Sequence, residues 1–281
     1  MKDVLHEKEA CLRAVLGDLS SAVVAFSGGV DSTFLLNEAR SVLGKRVLAV
    51  TGRSLSFPLR ELKVARDFTR TQKIKHLEVD SEELKLEGFS ENPPHRCYLC
   101  KKELFTKIKL IAAERGMARI LEASNADDEN DYRPGLKAIE ELGVLSPLRI
   151  AHLTKNDIRR LSKEKGLATW NKPSFACLAS RFPYGETITL ARLRQIDAAE
   201  CFLLELGLRQ VRVRYHEHGA LARIEADEEG LLLLARDNNR RQIAEKFSAL
   251  GFTYTAVDIT GYRTGSMNAT LNSTVPELPG K

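Results

Sequence analysis

Short apolar runs alternate with amphipathic stretches along the first half of the chain. The runs have the length of buried strands, and the stretches between them repeat apolar residues at helical spacing. We predict strands at 22–26, 46–51, 75–79 and 119–123, and helices at 1–19, 33–43, 59–70 and 101–114. Strands that alternate with helices favour a parallel sheet covered by helices on both faces.

The second half follows a different pattern. We predict helices at 189–206 and 238–250, and strands at 210–216, 220–226 and 254–259. This order indicates a smaller α+β unit. A length of 281 residues suits one large domain with a smaller appendage. We therefore predict two domains, 1–170 and 171–281.

Composition narrows the range of partners. The net charge is only +5, and the basic residues are scattered among nearly as many acidic ones. This balance favours a small anionic substrate over a nucleic-acid groove. No stretch is long and apolar enough for a membrane span, and the N-terminus does not read as a signal peptide. We expect a cytoplasmic protein without a nucleic-acid or membrane partner, in which the five cysteines stay reduced.

The most informative motif is SGGVDS at 27–32, directly after the first predicted strand. Two glycines allow a tight turn that brings backbone N–H groups close to an anion, and the next helix directs its positive end there. Such a nest suits pyrophosphate. No lysine follows the glycines as in GxxxxGK[ST]. The phosphate-binding candidates are Ser27, Gly28, Gly29, Asp31 and Ser32, and Asp31 is also the candidate for holding Mg²⁺. A chance Gly-Gly turn is the alternative.

Two other turns follow predicted strands and therefore lie at the same edge of the sheet, where ligands bind in such folds. Thr51 and Ser54 belong to the turn where an adenosine would lie. Asn125 and Asp127 belong to the turn after the fourth strand, and their side chains suit ribose, phosphate or metal. An ordinary polar loop is the alternative for each.

The SGGVDS segment resembles the pyrophosphate-loop signature of the N-type ATP pyrophosphatases. That resemblance implies an adenine nucleotide α-hydrolase-like fold, with ATP bound by residues 1–170. It also implies that ATP is cleaved between its α and β phosphates and that the substrate is activated as an adenylate. The loop does not identify the acceptor.

The cysteines suggest a second kind of chemistry. Cys97 and Cys100 form a CxxC, and Cys177 lies far downstream in a segment rich in proline, glycine and aromatic residues. Three such thiols can hold a zinc ion, an iron–sulfur cluster or a redox pair. Zinc normally takes a fourth ligand, for which His95 is a candidate. We predict that the other two cysteines, Cys11 and Cys201, are packed thiols on helices.

Four segments together resemble the LarE family of ATP-dependent sulfur transferases over nearly the whole chain: SGGVDST at 27–33, NADDENDYRPG at 125–135, SFACLASRFPYG at 174–185 and GYRTGSMN at 261–268. The resemblance implies that ATP and Mg²⁺ adenylate a carboxylate of a pyridinium dicarboxylate mononucleotide. Sulfur then displaces AMP to give a thiocarboxylate, in the synthesis of a nickel-pincer nucleotide. It further implies a homo-oligomer, with a hexamer as one form, in which residues 171–281 carry the cysteine loop and serve substrate binding and oligomerisation.

The resemblance also bears on the source of sulfur. Family members with only the cysteine that matches Cys177 give up its sulfur and retain dehydroalanine. This chain departs from them because it also has Cys97 and Cys100. It is therefore similar to the three-cysteine members, which bind a [4Fe–4S] cluster and pass on a cluster-bound sulfide. We favour the cluster route, with sacrificial transfer from Cys177 as the alternative.

Arg212 and Arg214 alternate with valines in a predicted strand, which places both guanidinium groups on one face. Paired arginines can hold phosphate or carboxylate. A solvated strand face is the alternative. By resemblance, these arginines match substrate-binding positions, and Cys177, Ser180, Arg181 and Glu200 match catalytic positions.

Two hypotheses from other classes remain open. A tRNA thiolase would share the loop and the cysteines but should carry a concentrated basic face for RNA, and the chain shows only scattered lysine and arginine. A zinc-bearing nucleotide sensor would bind ATP without forming AMP.

Overall fold

The computed structural model describes residues 2–130, 134–173, 176–263 and 265–267. Contacts between residues divide the chain into two compact units, Met1–Phe175 and Ala176–Lys281. We call them the first and second units. The sequence placed the division between residues 170 and 171.

The first unit alternates strands and helices as the hydrophobic pattern predicts. Its strands are β1 Ala22–Ala25, β2 Val47–Arg53, β3 Lys75–Asp80 and β4 Arg119–Leu121. Its helices are α1 Lys2–Gly17, α2 Val30–Leu43, α3 Leu59–Thr71, α4 Arg96–Glu114, α5 Gly135–Glu141, α6 Pro147–Ile150 and α7 Lys155–Glu164. The last three helices lie in a stretch for which the pattern predicted no element.

The four strands form one parallel sheet in the order β3-β2-β1-β4. Successive side chains of β1 point to opposite faces of the sheet, as in any β-strand, and pack in two different hydrophobic clusters. Val24 packs in a cluster with Leu12 and Phe34, whereas Val23 packs in another with Ile108. Helices therefore cover both faces, and the predicted α/β class is confirmed.

The second unit contains α8 Leu190–Glu205, β5 Val211–His216, β6 Leu221–Ala226, α9 Glu228–Leu234, α10 Asp237–Ala249 and β7 Tyr254–Val257. Its sheet has the order β5-β6-β7, with β6 antiparallel to β5 and parallel to β7. Thr189 caps α8 by accepting a hydrogen bond from the backbone N–H of Arg192. The smaller α+β unit that the pattern indicated is present.

Two local predictions are wrong. Helix α4 begins at Arg96 and not near Lys101, so the CxxC, for which the sequence predicted a loop-to-helix junction, lies within the first five residues of the helix. Cys11 is exposed and not packed, because α1 turns Leu5, Leu12 and Leu16 toward the core and Cys11 away from it. Across the described ranges, no helix has both the length and the apolar content to cross a bilayer.

Candidate active site

The loop between β1 and α2 makes a turn that requires glycine. Gly28 has φ +69°, in the left-handed region. A Cβ atom there would lie 3.2 Å from the backbone nitrogen of Ala65 and 3.3 Å from the carbonyl oxygen of Glu61, both on α3. Backbone conformation and the approach of α3 therefore both exclude a larger residue.

Hydroxyl groups hold the loop against the start of α2. The Ser32 Oγ lies 3.0 Å from the Ser27 Oγ, accepts a hydrogen bond from the Ser27 N–H at 3.3 Å and donates to the Gly29 carbonyl at 3.3 Å. The N-cap residue of α2 is Gly29, which has no side chain to cap the helix. The first N–H groups of a helix lack intrahelical partners, so this end is suited to an anion.

Asp31 stands in the first turn of α2 and pairs with Lys155 through its Oδ2 atom. Its other oxygen, Oδ1, is buried and has no hydrogen-bond partner among the described residues. Burial raises the Asp31 pKa above its ordinary value, although Lys155 acts in the opposite direction. The carboxylate therefore has one oxygen in an ion pair and one oxygen open to a cation.

A second lysine contacts the loop itself. Lys172 donates to the Gly28 carbonyl at 3.0 Å and to Glu61 Oε2 at 2.7 Å. Neither Lys155 nor Lys172 is predictable from the loop motif, because both lie far downstream of SGGVDS. The start of α7 carries a local signal, since Thr154 and Asp157 form a capping box around Lys155. No comparable signal marks Lys172.

The turn after β2 does not begin where the sequence placed it. Thr51 lies inside β2 and is buried. Its hydroxyl donates to the Phe26 carbonyl at 2.7 Å and lies 2.8 Å from His76 Nε2. The Thr51 side chain is thus bonded to protein groups at the base of the loop.

Beyond Thr51, the chain borders a cavity. Ser54 bonds to the buried carboxylate of Glu83, which also accepts hydrogen bonds from the backbone and hydroxyl of Ser56 at 3.2 and 3.1 Å. The cavity holds about 400 Å³ at the carboxyl ends of β2 and β3. Its lining combines apolar and polar residues: Arg53, Ser54, Leu55, Phe57, Leu59, Leu62, Asp80, Ser81, Glu82, Leu84 and Lys85.

The turn after β4 leads toward the N-terminus of α7. Asn125 is buried, and its Oδ1 accepts a hydrogen bond from the Asp127 N–H at 3.0 Å. Asp127 Oδ2 accepts one from the backbone N–H of Lys155 at 2.8 Å. The segments that follow β1 and β4 therefore both contact Lys155, through Asp31 and Asp127.

The CxxC places two thiols one helical turn apart. Cys97 is exposed and Cys100 is half-buried, both at the N-terminal end of α4. The buried Arg96 guanidinium lies 4.0 Å from the Cys97 Sγ. Within the residues that the structure describes, no three His, Cys, Asp or Glu side chains form a metal-binding group.

In the second unit, an arginine fixes the backbone of the third candidate cysteine. Arg181 is fully buried and donates to the carbonyl oxygens of Ala176 and Cys177 at 3.0 and 3.2 Å. Ser180 donates its hydroxyl to the same Cys177 carbonyl at 2.8 Å. Arg181 also forms a two-pronged pair with the buried Glu200, at 2.7 and 3.0 Å. These residues hold the Cys177 backbone in place.

Charge keeps Glu200 ionised despite its burial. Burial alone would raise the Glu200 pKa, but Arg181 and then Arg212 outweigh it and lower that pKa below its ordinary value. Burial and the neighbouring Arg181 lower the pKa of Arg212 to about 10. Glu200 also accepts the backbone N–H of Val213 at 3.1 Å, which joins α8 to β5.

Arg212 and Arg214 are buried, so the solvated strand face is excluded. The Arg212 guanidinium lies over the Tyr262 ring, 5.1 Å from its centroid. Arg214 donates to the Ser180 carbonyl at 3.0 Å and to the fully buried Glu225 at 2.6 Å. Hydrogen bonds therefore join Cys177, Ser180, Arg181, Glu200 and Arg214 into one network, which continues from Arg214 to Glu225. Arg212 lies beside this network and acts on the charge of Glu200.

Comparison with known proteins gives full-length relatives. The pyridinium-3,5-bisthiocarboxylic acid mononucleotide synthase of Lactiplantibacillus plantarum is 40% identical over 270 residues, which cover 95% of this chain and 96% of the relative. An uncharacterized protein of Synechocystis is 38% identical over 268 residues, covering 95% and 99%. One from Methanocaldococcus jannaschii is 27% identical over 242 residues, covering 86% and 90%. No protein-family model matches the chain.

Proposed function

The chain belongs to the LarE family of sulfur transferases, and from this premise we propose that it converts carboxylates of a pyridinium-3,5-dicarboxylate mononucleotide into thiocarboxylates at the expense of ATP. The product serves nickel-pincer nucleotide synthesis. The acceptor is a small nucleotide and not tRNA, because the Lactiplantibacillus relative is named for a mononucleotide product.

The geometry of the loop at 27–32 is the observation that carries the ATP half of the proposal. A glycine-dependent turn feeds an uncapped helix N-terminus, and two lysines pair with acidic residues beside it. Backbone N–H groups and lysines are the groups that bind phosphates. In the reaction, a substrate carboxylate oxygen attacks the α phosphorus, the bond to the β phosphate breaks, and pyrophosphate leaves as the acyl adenylate forms.

Asp31 suits the Mg²⁺ that accompanies ATP. Its buried Oδ1 has no hydrogen-bond partner within the described ranges, so a cation could take that place. Magnesium usually binds one or two carboxylates together with phosphate oxygens, which does not require a three-residue protein cage. When bound, the ion would neutralise phosphate charge.

The cavity beside Arg53 and Ser54 supports the predicted location of the adenosine end. It opens at the carboxyl ends of β2 and β3, and its wall includes Phe57 and Leu62. Ligand pockets commonly combine an apolar lining with a few fixed polar groups. Glu83 fixes the polar groups of this loop through Ser54 and Ser56.

The pair of thiols on α4 suits the proposed iron–sulfur group. Thiolates are its usual ligands, and Cys97 and Cys100 stand one turn apart on α4 next to Arg96. Cys97, Cys100 and Cys177 would hold a [4Fe–4S] cluster, which when bound would supply sulfide. At the adenylate, the carbonyl carbon gains a C–S bond and loses its bond to AMP, and the sulfur proton passes to solvent.

The chain's own contribution at Cys177 is positional. Arg181 and Ser180 hold the Cys177 carbonyl, and Arg181 is in turn held by Glu200. This arrangement serves either sulfur source. In the sacrificial alternative, the Cys177 thiolate displaces AMP to form a thioester, the Cα proton is removed and the Cβ–S bond breaks. Dehydroalanine then remains at position 177.

A single experiment separates the routes. Anaerobically purified protein is incubated with ATP, Mg²⁺, sodium sulfide as the sulfur source and the pyridinium mononucleotide, and AMP, thiocarboxylate and intact protein mass are followed. We expect AMP and thiocarboxylate over several turnovers with unchanged protein mass. Cys97→Ser should abolish thiocarboxylate but not adenylation, whereas Cys11→Ser, the matched exposed thiol, should change neither. Loss of one H₂S mass from the protein would instead establish the sacrificial route.

Other outcomes would contradict the proposal. Absence of AMP under all conditions would refute adenylation. Zinc without iron, together with no AMP, would favour the nucleotide sensor, and salt-sensitive tRNA binding would favour the tRNA thiolase.

A further inference from the structure

The first peptide group of the phosphate loop is held from both sides. This group comprises the Phe26 carbonyl and the Ser27 N–H. The Thr51 hydroxyl donates to the carbonyl at 2.7 Å, and the N–H donates to the Ser32 Oγ at 3.3 Å. The orientation of this peptide sets the direction in which the chain enters the turn at Gly28. Its two partners lie on β2 and α2.

Behind Thr51 stands His76, which lies on β3. The ring nitrogen Nε2 is 2.8 Å from the Thr51 Oγ1, and Nδ1 is 3.2 Å from the Thr69 Oγ1 on α3. The Phe26 ring meets the His76 ring edge-on, with their centroids 6.3 Å apart. Polar partners on two elements and an aromatic contact therefore confine the imidazole.

The hydrogen count sets the direction of this chain of bonds. Thr51 has one hydroxyl hydrogen, and it goes to the Phe26 carbonyl, so the Thr51 oxygen must accept from His76 Nε2. Burial lowers the His76 pKa, with Arg66 acting in the same direction and Glu78 against it, which favours the neutral ring at pH 7. The Thr69 hydroxyl also donates toward the backbone carbonyl oxygens of Ala65 and Arg66, at 2.9 and 3.1 Å. A neutral ring with Nε2 protonated leaves Nδ1 as a further acceptor for that same hydrogen, at the longer distance of 3.2 Å.

We propose that His76 is a positioning residue for the phosphate loop. It donates to Thr51, which in turn orients the Phe26–Ser27 peptide. Thr51 then acts as a support beneath the loop and not as a ligand of the nucleotide. The inference rests on the proposed function only in taking the loop at 27–32 as the phosphate site.

The tautomer provides a test that does not depend on activity. In ¹⁵N-labelled protein, the His76 ring should show a protonated Nε2 and an unprotonated Nδ1 at neutral pH. The opposite tautomer would overturn the inference, because Thr51 would then lack a donor from His76.

Matched variants test the effect on the loop. Thr51→Val keeps the shape and removes the hydroxyl, Thr51→Ser keeps the hydroxyl, and Thr169→Val is the control. Thr169 is also buried, and its hydroxyl has no hydrogen-bond partner among the described residues. We expect Thr51→Val to raise the KM for ATP and the Kd for pyrophosphate about ten-fold, equivalent to about 1.4 kcal/mol. Thr51→Ser and Thr169→Val should stay near wild type.

The KM distinguishes positioning from simple support of the fold. A purely structural loss would lower the amount of active enzyme, and with it the apparent kcat, but would leave the KM of the folded molecules unchanged. If Thr51→Val fails to fold, His76→Leu and His76→Gln replace it. Leu should raise the KM, and Gln, which retains an N–H donor, should not.

The two proposals fail in different ways. Wild-type KM and pyrophosphate affinity in Thr51→Val, or in His76→Leu if that variant replaces it, would overturn the positioning role while AMP formation continued. Wild-type protein that binds pyrophosphate but forms no AMP would refute the proposed reaction and leave the pyrophosphate affinities to decide the role of His76. Wild-type protein that binds neither ATP nor pyrophosphate would overturn both.

Discussion

The two candidate regions use charge in different ways. Beside the loop, the acidic residues pair with lysines that keep some exposure, 30% for Lys155 and 15% for Lys172. In the second unit, Arg181 and Glu200 are both 0% exposed. Lysine is a flexible point charge, whereas arginine is a planar fork with fixed geometry. The lysines beside the loop can therefore exchange an acidic side chain for a ligand. The Arg181–Glu200 pair instead fixes the backbone at Cys177.

This difference changes how the candidates should be interpreted. By resemblance, Arg181 and Glu200 match catalytic positions, yet their hydrogen bonds lead to the Cys177 backbone and to each other. The lysines match no motif, yet Lys172 donates directly to the Gly28 carbonyl of the loop. We therefore expect substitutions in the second unit to act mainly on stability, and those at the lysines on ATP.

Arg181→Met should have the largest effect. The substitution leaves Glu200 buried without its main partner, and breaking such a pair costs about 3–5 kcal/mol. Hydrogen exchange of the α8 and β5 amides should show easier opening, and the Cys177 thiol should react faster with alkylating reagents.

The matched control for Arg181→Met is Arg53→Met. Arg53 forms a two-pronged pair with Asp80 at 2.7 Å for both bonds, but that pair is exposed to solvent. Because exposed ion pairs contribute little to stability, amide hydrogen exchange should change little in Arg53→Met. If Arg181→Met kept wild-type exchange and lost only catalysis, Arg181 would act on the substrate and the contrast between the regions would fail.

The sheet was predictable because its signal is local. Val23 and Val24 lie in an apolar run, and such runs alternating with helices specify a parallel sheet. The start of α4 was not predictable, because His95 provides no side-chain cap and two prolines precede it. The exposure of Cys11 depends on which face of α1 packs against the core. Apolar residues flank Cys11 in the sequence, so the pattern did not show that its side chain lies on the outer face.

Lys172→Met should have the next largest effect. It removes a charged donor at the loop, and such hydrogen bonds contribute about 1.5–3 kcal/mol. The KM for ATP should rise roughly ten- to hundred-fold. Lys163→Met is the control, since Lys163 lies over the Trp170 ring, 4.8 Å from its centroid. An equal KM for ATP in Lys172→Met and Lys163→Met would show that Lys172 does not contribute to phosphate binding.

The lysines could not be found from the sequence for a physical reason. Lys155 contacts Asp31 across 124 residues, and Lys172 contacts Gly28 across 144. Only the folded sheet brings those segments together. Motif spacing in the sequence does not predict contacts between residues more than a hundred positions apart. The loop itself was found because its glycines, hydroxyls and carboxylate are consecutive.

Lys155→Met should have the smallest effect, a shift in pH dependence. Burial raises the Asp31 pKa, and Lys155 opposes that rise. Without Lys155 the pKa should rise further, so that Asp31 takes up a proton at a higher pH. Mg²⁺ requires the ionised carboxylate, so the acidic limb of kcat/KM for Mg-ATP should move to higher pH. Lys163→Met should leave the limb in place. If the acidic limb of kcat/KM stayed in place in Lys155→Met, protonation of Asp31 would not limit the use of Mg-ATP. Only Lys172 would then support the view that the lysines beside the loop can exchange an acidic partner for a ligand.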